Sequence, residues 1–189
     1  MSQGFASGII LAGGKSRRLG GDKASLFLDR VVCAIRPHVA EVLVAGRDRV
    51  LSPAARPVPD LFPDHGPMSG IYSGMLAASF DRCLVAACDM PFIQPALVER
   101  LIGLIGEDDA LVPRIEGRPQ PLLAVYRKTC LSELREALEQ NHLKVDRLLD
   151  RVRTRYVTEG DLREADPELI SFFNVNRPED LDRARALGL

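Results

Sequence analysis

The sequence predicts an α/β sandwich in which a mostly parallel sheet is covered by helices on both faces. Three observations carry this. Short, almost wholly apolar runs recur along the chain, helical patterns lie between them, and the chemically richest residues stand just after the apolar runs. Strands that alternate with helices pair in parallel, because each crossover returns the chain to the same end of the sheet. At 189 residues with 46% hydrophobic side chains, the chain has enough apolar material for one full core, so one domain spanning residues 1–189 is expected.

The elements follow in order. Gly8-Ile9-Ile10-Leu11-Ala12, ending in glycines, reads as a central strand buried on both faces. Val42 to Ala45 is a second such run, and Met75-Leu76-Ala77-Ala78, opening after Gly70, fits a helix. Cys83 to Ala87 is another strand. After Pro95, Leu97, Val98, Leu101, Ile102 and Ile105 recur at helical spacing. Ala110 to Val112 and Leu122 to Tyr126 are strands, and Leu131, Leu134 and Leu138 mark the next helix. Arg153 to Val157 reads as a strand and Pro178 to Leu187 as a closing helix. The sequence shows no internal repeat, low-complexity segment or linker.

The bulk properties exclude several classes of function. The formal charge is −1 with acids and bases intermixed, so no general electrostatic grip on nucleic acid or an anionic membrane is expected. No apolar run approaches bilayer-spanning length and no secretory leader pattern is present, which predicts a cytoplasmic protein. Cys33, Cys83, Cys88 and Cys130 are scattered and are read as small buried hydrophobes. His38, His65 and His142 lack metal-ligand spacing and read as surface or packing residues. The basic stretch Arg147 to Arg155 reads as a solvated face.

Ligands of open α/β sheets lie beyond the carboxyl ends of the strands. Leu11 to Lys23 follows the first strand and carries Gly13, Gly14, Gly20 and Gly21 with Lys15, Arg17, Arg18 and Lys23, against one acid, Asp22. Glycines let the backbone approach a ligand and turn N–H groups toward it, while the cations offset phosphate charge. This combination calls for a polyphosphate. Two familiar loops fail on spacing. A Walker loop ending at Gly14-Lys15-Ser16 needs glycine at position 9, which is Ile9. The dinucleotide pattern G-x-G-x-x-G fails because the glycines come as adjacent pairs, with no helical pattern expected directly after them.

Asp89, in Cys88-Asp89-Met90-Pro91, ends another strand and faces the same crevice; a hard oxygen there suits Mg²⁺, although turn or cap duty would explain the position equally. Asp60 and Asp64 each follow a proline and both read as turn residues.

The loop resembles L-A-G-G-x-S-x-R-[ML]-G-x-D-K, the signature of the molybdenum cofactor guanylyltransferases within the nucleotidyltransferase superfamily, and every fixed position is present. The resemblance runs from Gly8 to Leu181 and implies a Rossmann-like three-layer sandwich. It places Leu11, Ala12, Gly13, Gly14, Lys23, Asp60 and Asp89 at the nucleotide, with Lys23 and Arg17 or Arg18 at the phosphates and Asp89 holding catalytic Mg²⁺. Gly66-Pro67-Met68-Ser69-Gly70 is similar to the family's G-P-L-x-G loop. Gly117-Arg118-Pro119-Gln120-Pro121-Leu122 with Ala124 and Tyr126 is similar to G-x-x-Q-P-L-x-A-x-Y, and Phe173 to Leu181 to F-x-N-x-N-T-P-E-D-L. These matches place Gly66, Pro67, Ser69, Gly70, Gln120, Asn174 and Asn176 at the second substrate. Asn174 and Asn176, two apart, would project from one face of an extended chain, with Asn176 also placed to cap the following helix. Arg177 replaces the usual Thr.

The implied reaction is transfer of GMP from GTP to the phosphate of molybdopterin or the molybdenum cofactor, with release of pyrophosphate; molybdoenzymes or their chaperones are further partners it allows. A CTP-using relative, another phosphate acceptor, or a non-catalytic nucleotide- or cofactor-binding module remain as alternatives. The Gly13-Gly14 pair favours GTP, since CTP-using relatives tend to have Ala-Gly. Ala45-Gly46 stands where guanylyltransferases commonly have an asparagine. In the family a strand and a Gly-containing turn follow the Lys23 position, whereas Ser25 to Val31 contains no turn residue. Either the loop is short or a segment is missing between Lys23 and Val31, and the second is the expectation.

Overall fold

The computed structural model describes residues 6–13, 21–46 and 54–188, without the side chains of 21–26 and 178. Eight strands form the sheet: β1 (Ala6–Leu11), β2 (Glu41–Ala45), β3 (Arg56–Val58), β4 (Arg82–Ala87), β5 (Ala110–Ile115), β6 (Arg118–Pro119), β7 (Leu123–Arg127) and β8 (Thr154–Val157). The helices are α1 (Gly21–Ile35), α2 (Gly66–Ala77), α3 (Pro95–Leu104), α4 (Leu131–Glu139), α5 (Val145–Leu149), α6 (Glu159–Leu162) and α7 (Pro178–Ala186).

The strand order is β3-β2-β1-β4-β7-β5, with β8 beside β5. β1, β2, β3 and β4 run parallel, and so does β8 with β5. β7 is antiparallel to both β4 and β5. β6 folds back on the end of β5 as a hairpin, Arg114 opposite Pro119. The chain runs outward from β1 to β3 and returns through α2 to β4, which makes the β1/β4 boundary a topological switch point.

Alternation along each strand builds two cores. Ile10, Val44, Leu84 and Leu111 point into the layer of α1 and α3, packing with Val31, Ile35, Leu97 and Leu101. Ile9, Leu43, Val85 and Val112 point to the opposite layer, against Met68 and Met75 of α2 and Leu134 of α4. Each fully buried Leu or Ile contributes about 1.5–3 kcal/mol of transfer free energy, which holds both layers on the sheet. A smaller cluster of Phe27, Phe92, Val175, Leu181 and Ala184 seats α7. Among the described residues no helix is long and apolar enough to cross a membrane.

Two sequence expectations are corrected. Gly21–Ile35 is one unbroken helix, where the family has a strand and a turn after the Lys23 position. Leu28, Val31, Val32 and Ile35 recur at helical spacing and bury one stripe in the core, and that stripe continues the helix without a turn. The same helix begins at Gly21, so a helix does follow the glycine loop, contrary to the pattern expected after Lys23. Cys33, on the outer face of α1, is exposed, whereas Cys83, Cys88 and Cys130 are buried as expected.

Candidate functional site

Backbone hydrogen bonds tie together the ends of β1 to β4. Ala12 N donates to Ala45 O at 2.9 Å, Gly46 N to Val58 O at 3.0 Å, and Cys88 N to Leu11 O at 3.1 Å. Gly13 and Gly46 come so close that a Cβ on Gly46 would lie 2.7 Å from Gly13 Cα. Gly46 also has φ +82°, in the left-handed region, so both space and backbone demand glycine there. Its role was not read from the sequence, where Gly46 stood only for a missing asparagine. The available signal was a glycine directly after a strand on the ligand-binding edge.

Asp60 closes this corner. Its Oδ2 is 3.3 Å from where a Cβ would stand on either Gly13 or Gly46, and its Oδ1 is 3.8 Å from the same point on Gly70. That Oδ1 is buried without a hydrogen-bond partner among the described residues. Burial pushes the carboxyl above its ordinary value. Asp64, inseparable from Asp60 in the sequence, is exposed in a turn at φ 64°.

Asp89 sits in the turn after β4, where the strand ends as Ala87 N donates to Leu122 O. Its own carbonyl accepts from Val175 N at 2.8 Å, anchoring the C-terminal segment. Asp89 Oδ1 is likewise buried without a partner among the described residues, and burial raises its pKa. Two orphaned carboxylate oxygens beside a glycine-walled crevice are the donor chemistry that a hard divalent cation uses, through one or two carboxylates completed by phosphate oxygens. No group of three or more His, Cys, Asp or Glu that could hold a metal gathers anywhere among the described residues.

The other expected residues divide. Gly14, Arg17 and Arg18 lie outside the described residues, and Lys23 falls in the first turns of α1 with its side chain outside them. Gly66, at φ 62°, and Pro67 are exposed at the start of α2. Gly70 is buried where a Cβ would meet Leu11 Cδ2 at 3.0 Å, so it lets α2 approach the glycine corner. Ser69 is fully buried, and its hydroxyl accepts from Phe62 N at 3.2 Å, which anchors the loop before α2. Gln120 is half-buried, its N–H on Pro113 O at 2.8 Å. Asn174 and Asn176 are both exposed around buried Val175, as an extended chain requires. Asn176 is not the cap of α7. The Asp180 carboxylate reaches back and accepts from Asn176 N at 2.9 Å and Arg177 N at 2.8 Å.

The family described as MobA-like NTP transferase domain matches residues 8–155. A probable molybdenum cofactor guanylyltransferase of Pelotomaculum thermopropionicum is 41% identical, over 97% of this chain and 93% of its own length. The molybdenum cofactor guanylyltransferase of Desulfosudis oleivorans is 34% identical, over 95% and 94%. The crystal structure of molybdopterin-guanine dinucleotide biosynthesis protein A from Archaeoglobus fulgidus superposes with a TM-score of 0.82 at 32% identity, covering 97% of this chain and 98% of that one. On the match of the family model over most of its length, and on these relatives, this chain belongs to the MobA-like NTP transferases, a family of nucleotidyltransferases.

Proposed function

We propose that the protein, a cytoplasmic single-domain enzyme, transfers GMP from GTP to the terminal phosphate of molybdopterin or its molybdenum-bearing form. The observation that carries this reading is a pair of buried carboxylate oxygens without a hydrogen-bond partner among the described residues, one on Asp60 at the Gly13/Gly46 corner and one on Asp89 in the turn after β4. An acceptor phosphate oxygen attacks the α-phosphorus; the bond from that phosphorus to the bridging oxygen breaks, and its electron pair leaves with pyrophosphate. The nucleophile is already an anion, so no general base is required. The protein's task is to align two anions and neutralise them.

In this reading Gly13, Gly14 and Gly46 bring backbone close to the nucleotide, and Lys23 with Arg17 or Arg18 meets the charge that gathers on the departing phosphates. Asp89 would hold Mg²⁺ with Asp60 nearby, and the bound ion supplies Lewis-acid polarisation of the α-phosphate. Gly66, Pro67, Gln120, Asn174 and Asn176 border the acceptor. With glycine at position 46, guanine is read by backbone groups or by other side chains.

The test is pyrophosphate release from GTP or CTP with molybdopterin and Mg²⁺. GTP is expected to support release, and Asp89→Ala to reduce it by about 10²- to 10³-fold. A preference for CTP would overturn the base assignment, and undiminished release in the variant would overturn the metal assignment.

A further inference from the structure

Asp89 divides the ligand-binding edge of the sheet in two. Gly13, Gly46 and Asp60 stand over β1, β2 and β3, which is the nucleotide half in the proposed reaction. The other half lies over β7, β5 and β8. Backbone hydrogen bonds cross it from the metal side: Ala87 N to Leu122 O at 2.8 Å, then Gln120 N to Pro113 O at 2.8 Å. The next residue is Arg114. It lies two strand spacings from β4, about 9–10 Å, on the same edge as Asp89.

Strand alternation also sets its face. Ala110 and Val112 point into the layer of α2 and α4, and Leu111 into the opposite one, so Arg114 continues on the α2 side. That is the side of Gly66 and Pro67. Tyr156, which pairs with Val112, shares the face, and the Arg114 guanidinium lies 4.1 Å from its ring centroid. A cation–π contact of this kind engages the ring face and does not consume the guanidinium's N–H donors. Arg114 forms no ion pair among the described residues, and Glu159, which shares a surface depression with it, accepts from Glu116 N at 2.8 Å and pairs with Arg163 at 3.0 Å. A depression of about 310 Å³ opens beside Arg114, with Gly117, Thr158, Glu159 and Gly160 in its wall.

We propose that Arg114, braced on Tyr156, holds the ring end of the acceptor, its planar fork donating to the carbonyl oxygen of the pterin while the acceptor phosphate lies at Asp89. This rests on the molybdopterin reading above. A fused ring system joined to its phosphate by a one-carbon arm is comparable in length to two strand spacings, about 9–10 Å. A flat heterocycle with a carbonyl acceptor suits a rigid fork better than an ammonium point charge.

The experiment measures steady-state GMP transfer with molybdopterin varied, Mg²⁺-GTP affinity by calorimetry, and binding of molybdopterin alone by its absorbance. Arg114→Ala is expected to raise the KM for molybdopterin about tenfold or more, with kcat within about threefold, because a hydrogen bond from a charged donor is lost from binding. Arg114→Lys should stay close to the alanine variant. Tyr156→Phe should behave as wild type and Tyr156→Ala should fall between, since the ring and not the hydroxyl braces the arginine. An unchanged acceptor KM in Arg114→Ala overturns the inference and leaves the reaction standing, and a wild-type KM in Arg114→Lys overturns it as well. Conversely, molybdopterin binding by wild type that is lost in Arg114→Ala, with no GMP transfer by either, rejects the reaction and supports the inference.

Discussion

A carboxylate oxygen buried without a donor is tolerable while protonated and costly once ionised. Asp89 and Asp60 are both held above their ordinary carboxyl value by burial, so the folded state binds their protons more tightly than the unfolded chain does. Stability must then fall as pH rises from the unfolded value of 3.8 through the raised folded one, and stay low above it. Asp89→Asn removes the ionisable group. The metal-free variant is expected to melt higher than wild type at pH 7 and to lose that advantage toward pH 3.5. Added Mg²⁺ with GTP should raise the wild-type midpoint, by about 2.7 kcal/mol of stability at a hundredfold excess over Kd, and leave the variant unmoved. Thermal scans at three pH values, with and without ligand, check this; equal apo midpoints at pH 7 would contradict it. At this scale the sequence reveals which residue types stand after strands, and so points to Asp89. It does not separate Asp60 from Asp64, because Pro59-Asp60 and Pro63-Asp64 are the same local signal. The separation is made by the backbone, which turns one carboxylate onto Gly13 and leaves the other exposed at positive φ.

At the scale of elements, local periodicity held information that comparison with the family pattern passed over. The stripe Leu28, Val31, Val32, Ile35 has helical spacing, and the helix runs through the stretch where the family has a strand and turn. The capping of α7 was harder to read. Asn176 and Asp180 both stand near its start, and only geometry shows that Asp180 takes the backbone donors of Asn176 and Arg177. This capping fixes the extended segment in which Val175 N holds Asp89 O. Asp180→Ala should therefore cost about 0.5–2 kcal/mol of stability. Because the freed segment carries Asn174 and Asn176, the acceptor KM should also rise while GTP affinity stays near wild type. Denaturant unfolding with paired kinetic and calorimetric titrations would show it, and a loss of GTP affinity as large as that of the acceptor would refute the division of roles.

Across the whole molecule, the layer pattern was legible because strands buried on two faces are continuously apolar and helices on one face are periodic. The reversal of β7 was not, since a mostly apolar run reads the same in either direction, and β3 is only three residues, one of them proline. Nor does the sequence show how close the layers come. α2 lies on β1 so tightly that a Cβ on Gly74 would stand 2.4 Å from Ile9 Cγ2, and the same helix carries Gly70 against Leu11 and Asp60. α3 has the opposite condition, for a Cβ on Gly103 would meet nothing within 4 Å. Glycine to alanine at these two positions should therefore have opposite signs. Gly103→Ala gains helix propensity and should stabilise by up to about 1 kcal/mol. Gly74→Ala gains the same propensity but must displace Ile9 or lift α2, and the overpacking, typically about 1–3 kcal/mol, outweighs it. Lifting α2 also draws Gly70 from the Asp60 corner, so Gly74→Ala should weaken GTP binding while Gly103→Ala leaves it unchanged. Unfolding midpoints and GTP titrations of the two variants decide the matter: a Gly74→Ala protein as stable as Gly103→Ala would mean that the sheet and α2 are not in the close contact on which the nucleotide corner depends.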